Sequence, residues 1–228
     1  LHYPLRRQRQ MCIRDRNYVA QILPDLLQAS LKTLGITLVG FLIAVVLGLF
    51  LAIARRSRQA WLSWPVALLI EFIRSTPLLI QVYFLYYVLP NYGVNMTAMQ
   101  AGIIGIGVHY ACYLAEVYRG GLDSVARSQW EAVVALNFAP WTAYRAVILP
   151  QAIRPILPPL GNYLIAMLKD TPVLSAITVV EIMQQAKNVG SESFRYLEPI
   201  TLVGLFFLAL SVALAYLVRR LEVRLELR

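Results

Sequence analysis

The chain has 228 residues, of which 59% are hydrophobic and 14% charged, with a formal net charge of +9. Soluble domains carry about 45–50% apolar and about 25% charged residues, so this composition excludes an ordinary soluble globule. Nor does the charge point to nucleic acid, because five Arg and one Asp in the first sixteen positions supply +4 of it and leave +5 for residues 17–228. That first stretch, LHYPLRRQRQMCIRDR (1–16), contains no apolar run and so does not read as a signal peptide. It is expected to be a non-native or disordered basic tail outside the fold. Cys12 lies in it and Cys112 in an apolar segment, a pattern that makes neither a disulfide framework nor a metal site; no cofactor is called for.

Next in chain order comes LGITLVGFLIAVVLGLFLAIA (34–54), uncharged throughout. About 20 such residues cross a ~30 Å hydrocarbon core as a helix, so the chain is an integral membrane protein. Membrane segments are expected at about 31–54, 71–90, 98–118, 152–170 and 199–218, forming one all-α membrane domain over residues 17–228. The second contains Glu71, Arg74 and Pro77, and the fourth Pro155, Pro158, Pro159, Lys169 and Asp170. Residues 171–187 are expected to be a helix packed against or partly entering the membrane. Arg55, Arg56, Arg58, Arg119, Arg127, Arg145, Arg154, Arg219, Arg220, Arg224 and Arg228 lie on one side of these spans, against Lys187 and Arg195 on the other. By the positive-inside rule the N-terminus is outside and the C-terminus and the loop 119–151 are cytoplasmic.

That loop, SQWEAVVALNFAPWTAYRAVILPQA (128–152), is polar and tightly punctuated. Ser128 and Glu131 have the spacing of a capping box, which predicts a short helix over 129–136. Asn137 suits a left-handed helix end, and Pro140 suits the first turn of a second helix reaching Leu149, after which Pro150 and Pro155 restrict the chain.

Glu131-Ala132, Asn137, Ile148 and Leu149-Pro150 resemble the EAA loop of permease subunits of bacterial ABC importers. FIRSTPLLIQVYFLYYVLP (72–90) and LPPLGNYLIAMLKDTPVLSAI (157–177) extend the resemblance to the polar amino-acid branch of that family. Asn137 stands where the loop usually has Gly. With DTPVLSAITVVE (170–181) and SFRYLEPIT (193–201), it is similar to the ectoine and hydroxyectoine permeases within the branch. The resemblance implies a five-span subunit of the bacterial inner membrane. It also implies a homodimeric ATPase, a second permease chain (identical or paralogous) and an external solute-binding protein as partners, without nucleic acid. In such importers the short cytoplasmic helix docks into a groove on the ATPase subunit. On this reading Ser128, Trp130, Glu131, Ala132, Asn137, Phe138, Pro140, Trp141, Leu149 and Pro150 form the coupling surface. Glu131 either closes the capping box or also meets a cation of the ATPase. Trp130, Phe138 and Trp141 either pack against helix ends or fill the partner's groove. The chain has no G-x-x-x-x-G-K-[ST] phosphate loop, so it is not expected to be an enzyme.

Polar groups at membrane depth are costly and mark candidate solute-path residues. They are Gln81, Tyr83, His109, Glu116, Lys169, Asp170 and Thr171. Glu116 also has the spacing to pair with Arg119 on a helix, and Glu71 with Arg74. Lys169 and Asp170 are expected near the outer end of the fourth span, as a pair or a helix terminus. Gly102, Gly105 and Gly107 are expected to let helices approach closely. The function implied is ATP-driven import of a small zwitterionic solute, ectoine or a polar amino acid such as glutamine or histidine. An ion-coupled secondary transporter is the reading from another class, although no paired repeats are visible.

Overall fold

The computed structural model describes the backbone of residues 3–226 and the side chains of residues 17–224. The side chains of the expected tail, Cys12 among them, and the whole of Arg228 lie outside the described residues. The elements, in order, are α1 (Tyr3–Arg55), α2 (Ala60–Arg74), α3 (Leu78–Tyr83), α4 (Ala98–Asp123), α5 (Arg127–Ala135), α6 (Pro140–Ala143), α7 (Leu149–Asp170), α8 (Ile182–Ser193) and α9 (Leu197–Glu226). Among the described residues there is no strand. Three stretches are long and apolar enough to span a membrane alone: Asn17–Arg55, Ala98–Asp123 and Leu197–Arg224. Two bent pairs bring the count to five: Ala60–Arg74 with Leu78–Tyr92, turned by 104°, and Pro140–Ile177 with Ile182–Ser193, turned by 47°.

α4 is the centre of the bundle. It starts at a true capping box, Thr97 with Gln100, and its small residues let α1, α3 and α7 lie against it. A Cβ added at Gly105 would stand 2.7 Å from Val82 Cγ1 of α3, closer than real contacts allow. The core on this helix includes Ile106, Leu114, Ile70, Val82, Ile148 and Met167. A second cluster joins the first half of α1 to α8 and α9 through Leu26, Ala29, Ile182 and Val203.

Four expectations are corrected. The span expected at 71–90 is not one helix. Pro77 supplies no N–H and keeps Thr76 from helical geometry, so α2 ends at Arg74 and the chain turns. Gln81 then reaches back, its Nε2 donating to Ile73 O at 2.8 Å and Thr76 O at 3.1 Å, which satisfies carbonyls the corner strands. The helix that holds the first span does not start near residue 31, because α1 passes through Pro24 without a break. The second short helix of the loop does not stop near Leu149. α6 widens into a π-helical turn, Tyr144–Ile148, and continues into α7. That wider turn accommodates Pro150, whose nitrogen has no hydrogen to donate. The helix expected over 171–187 is instead a 3₁₀ turn, Thr171–Ile177, a left-handed Thr178 (φ 63) and α8.

Candidate functional site

Two places break the apolar bundle. The first is the elbow formed by α5, α6 and the link between them. α5 begins one residue before the capping box expected at Ser128. Its N-cap is Ala126, without a side-chain bond, and Ser128 lies inside the first turn. Glu131 accepts from Arg127 Nε at 2.9 Å, so the i,i+4 ion pair takes the carboxylate that a box would use. At the other end Asn137 takes the left-handed conformation (φ 51). Its N–H bonds Val134 O and the N–H of Phe138 bonds Val133 O, both at 3.0 Å. This is a Schellman closure, and it fixes the corner. Pro140 stands at the start of α6, where a missing N–H costs nothing.

The elbow's outer surface is unexpectedly oily. Val134 (78% exposed), Leu136 (69%), Phe138 (42%) and Trp141 (72%) stand in the open beside Glu131, Ala132 and Pro140, which are also exposed. Leu149 and Pro150 are exposed at the root of α7. Large apolar side chains exposed together on so short a stretch make it a candidate interaction surface. Val134 and Leu136 were not singled out by sequence. Their neighbour Val133 is buried, and only the fold shows which of the three faces outward. Trp130 differs from the other aromatics: it is half-buried, edge-on to Tyr144 at 5.5 Å.

Above the elbow lies a chain of charges. Glu116 is bonded to Arg55 and, at 2.9 Å, to Arg119. Arg119 also meets Asp123 at 2.9 Å, and Asp123 accepts from Arg56 at 2.6 Å. The Arg56 guanidinium lies 5.6 Å from the centre of the Trp130 ring. Glu116 is therefore neutralised among arginines at the end of α4, away from the other candidate path residues.

The second break lies where α7 ends beside the middle of α9. A Cβ on Gly161 would stand 2.1 Å from Val218 Cγ1, which fixes α7 against α9. Further along, Lys169 lines a cleft of about 370 Å³ with Phe207, Ser211 and Ala215. α7 ends at Asp170, the helix terminus expected there, and that end packs beside the middle of the apolar run 199–218. α7 starts far down because it continues from α6, and it is used up by the middle of α9. The Lys169 and Asp170 side chains do not form a pair. Asp170 accepts from the Tyr110 hydroxyl at 2.7 Å, in the middle of α4, while Lys169 is exposed on the α9 side. Successive residues on a helix point about 100° apart, which separates them.

Around Asp170 the structure collects several of the candidate residues. Gln81 Oε1 and His109 Nδ1 are 3.0 Å apart, and His109 stacks near Tyr110 and Tyr113 at 5.6 and 5.2 Å. Tyr163 of α7 closes the aromatic group. Thr171 is fully buried and donates to Leu168 O at 2.7 Å, within the turn that ends α7. Tyr83 stands apart, on the outside of α3 against Tyr87. Sequence reasoning missed Glu181. Fully buried, it caps α8 by accepting from Met183 N at 2.9 Å and Gln184 N at 2.8 Å. An acidic residue directly before a helical run is the signal that was available.

Comparison with known proteins gives these two breaks a context. Residues 44–227 match the model of the family described as binding-protein-dependent transport system inner membrane component. A probable amino-acid ABC transporter permease protein of Sinorhizobium fredii is 45% identical over 211 residues, covering 92% of this chain and 91% of that one. The glutamine transport system permease protein of Escherichia coli is 36% identical over 216 residues, covering 93% and 98%. Among solved structures, a crystal structure of an amino acid ABC transporter with histidines superposes with a TM-score of 0.86 at 33% identity, covering 90% of this chain and 96% of that one. These relatives lend no support to the narrower likeness to ectoine permeases.

Proposed function

The chain belongs to the family of inner membrane components of binding-protein-dependent transport systems, and from that premise we propose that it forms the solute path of an ATP-driven importer of polar amino acids. Members of the family are transport components of the inner membrane that work with a separate ATPase and a solute-binding protein. The observation that carries the reading is the elbow. A fixed left-handed corner presents Phe138 and Trp141 outward, and the same piece of chain runs without a break into α7. A push on the elbow is thus a push on the helix that ends at Lys169 and Asp170.

The charge bias supports a cytoplasmic elbow, with the N-terminus outside and the C-terminus inside. A second permease chain, identical or paralogous, would complete the path. Asp170, with Gln81, His109 and Tyr110 as polar neighbours, offers a negative charge to the amino group of such a solute, while Lys169 faces the α9 side. A charge among apolar helices without a counter-charge is costly, which favours a solute or a water-filled path beside Lys169 over lipid.

The test is uptake of labelled glutamine and histidine into proteoliposomes holding this chain, its ATPase and its binding protein. Uptake should require ATP and ignore ion gradients. Uptake that persists without ATP and collapses with a protonophore would replace the reading with an ion-coupled transporter. Efficient displacement of glutamine by ectoine would move the solute to that narrower class.

A further inference from the structure

Resting on the importer reading, we infer that Arg56 is a positioning residue for coupling, the tie through which movement of the elbow reaches α1 and α4. Two routes lead from the elbow into the bundle. One is the backbone, α6 through the π-helical turn to α7. It delivers movement to α7 and the second break. The other consists of side chains only. α5 itself packs mainly on the Tyr144–Ile148 turn, so α1 and α4 have little direct hold on it.

Arg56 bridges that gap. It follows α1 directly, donates to Asp123 at the end of α4 at 2.6 Å, and covers the Trp130 ring of α5 at 5.6 Å. Trp130 is in turn set edge-on against Tyr144. The rest of the charge chain gives the tie a rigid anchor. Arg119 bonds both Glu116 and Asp123, and Glu116 also holds Arg55, so the ends of α1 and α4 are clamped together. A guanidinium suits this place because its flat face lies on an aromatic ring while its edge donates to a carboxylate. In this role Arg56 acts through Asp123 and Trp130. It sets which helices travel with the elbow.

The experiment uses the assembled importer in proteoliposomes, with ATP hydrolysis and solute import measured on the same sample. Arg56→Ala and Asp123→Asn are compared with the native chain, and assembly is checked by recovery of the ATPase subunit. We expect ATP hydrolysis to continue in both variants while solute imported per ATP falls about tenfold, the size of a typical coupling between sites. The double variant should be no worse than the worse single, because both cut the Arg56–Asp123 tie, with Asp123→Asn also loosening Arg119. A ratio of import to hydrolysis equal to that of the native chain would overturn the inference, as would single effects that multiply in the double. A proportional loss of both activities, or failure to recover the ATPase, would also overturn it, because it would mark a purely structural clamp. If the native chain itself imports without ATP, the importer reading falls and takes this inference with it.

Discussion

At the elbow, residues 127–149, apolar side chains stand in the open beside charged ones. At the second break, residues 169–181, charged and polar side chains sit among apolar helices. Each region is at odds with its surroundings, and in opposite senses. Water accepts Glu131 but not an exposed Trp141, so the elbow needs a protein to cover it. Lipid accepts Phe207 but not Lys169, and the proposed function puts a polar solute or water beside it. The difference teaches where to look for each partner: macromolecular at the elbow, small and charged at the break.

The comparison is broken most severely at the elbow. Trp141→Ala should weaken association with the ATPase about thirtyfold or more, since exposed aromatics at interface centres are worth at least ~2 kcal/mol. Titration of the purified ATPase against the solubilised permease measures it. Unchanged binding would make the oily patch incidental. At the break, Tyr110→Phe removes the hydroxyl that donates to Asp170 at 2.7 Å and adds nothing in its place. Stability should fall by about 1–3 kcal/mol, with import impaired and ATPase association intact. A loss of association instead would show that the two regions are not separable in this way. The smallest effect belongs to the corner. Asn137→Val places a β-branched residue at φ 51 and should cost about 1–2 kcal/mol. Asn137→Gly should leave the elbow unchanged. Thermal unfolding of both variants distinguishes them, and equal melting temperatures would contradict the left-handed corner.

How much of this was legible in the sequence follows from whether the signal was local. The start of α4 at Ala98, the helix start at Pro140 and the corner at Asn137 rest on neighbouring residues, and they stand where the chain is locally punctuated. The capping box did not survive, because Arg127 competes for Glu131 from one turn away. The 104° corner at Pro77 was hidden inside a run whose composition is that of a span. Gln81, which secures the corner, looked like a polar residue waiting for a ligand. The helix end at Asp170 was foreseen, but its place beside the middle of α9 was not, because that depends on where α7 begins, and α7 begins in the elbow. Arg56, Asp123 and Trp130 are brought together from three separate helices or their ends. No spacing in the sequence announces that contact.

The central claim is that the elbow lies under the membrane in the grip of another chain. Its most direct measurement is labelling of Thr142→Cys, at the exposed position beside Trp141, in a background with Cys12 replaced by Ser, by a reagent that does not cross membranes. The account predicts no labelling in intact cells, labelling in inverted vesicles stripped of the ATPase, and protection when the ATPase is restored. Labelling of position 142 from outside intact cells would contradict it.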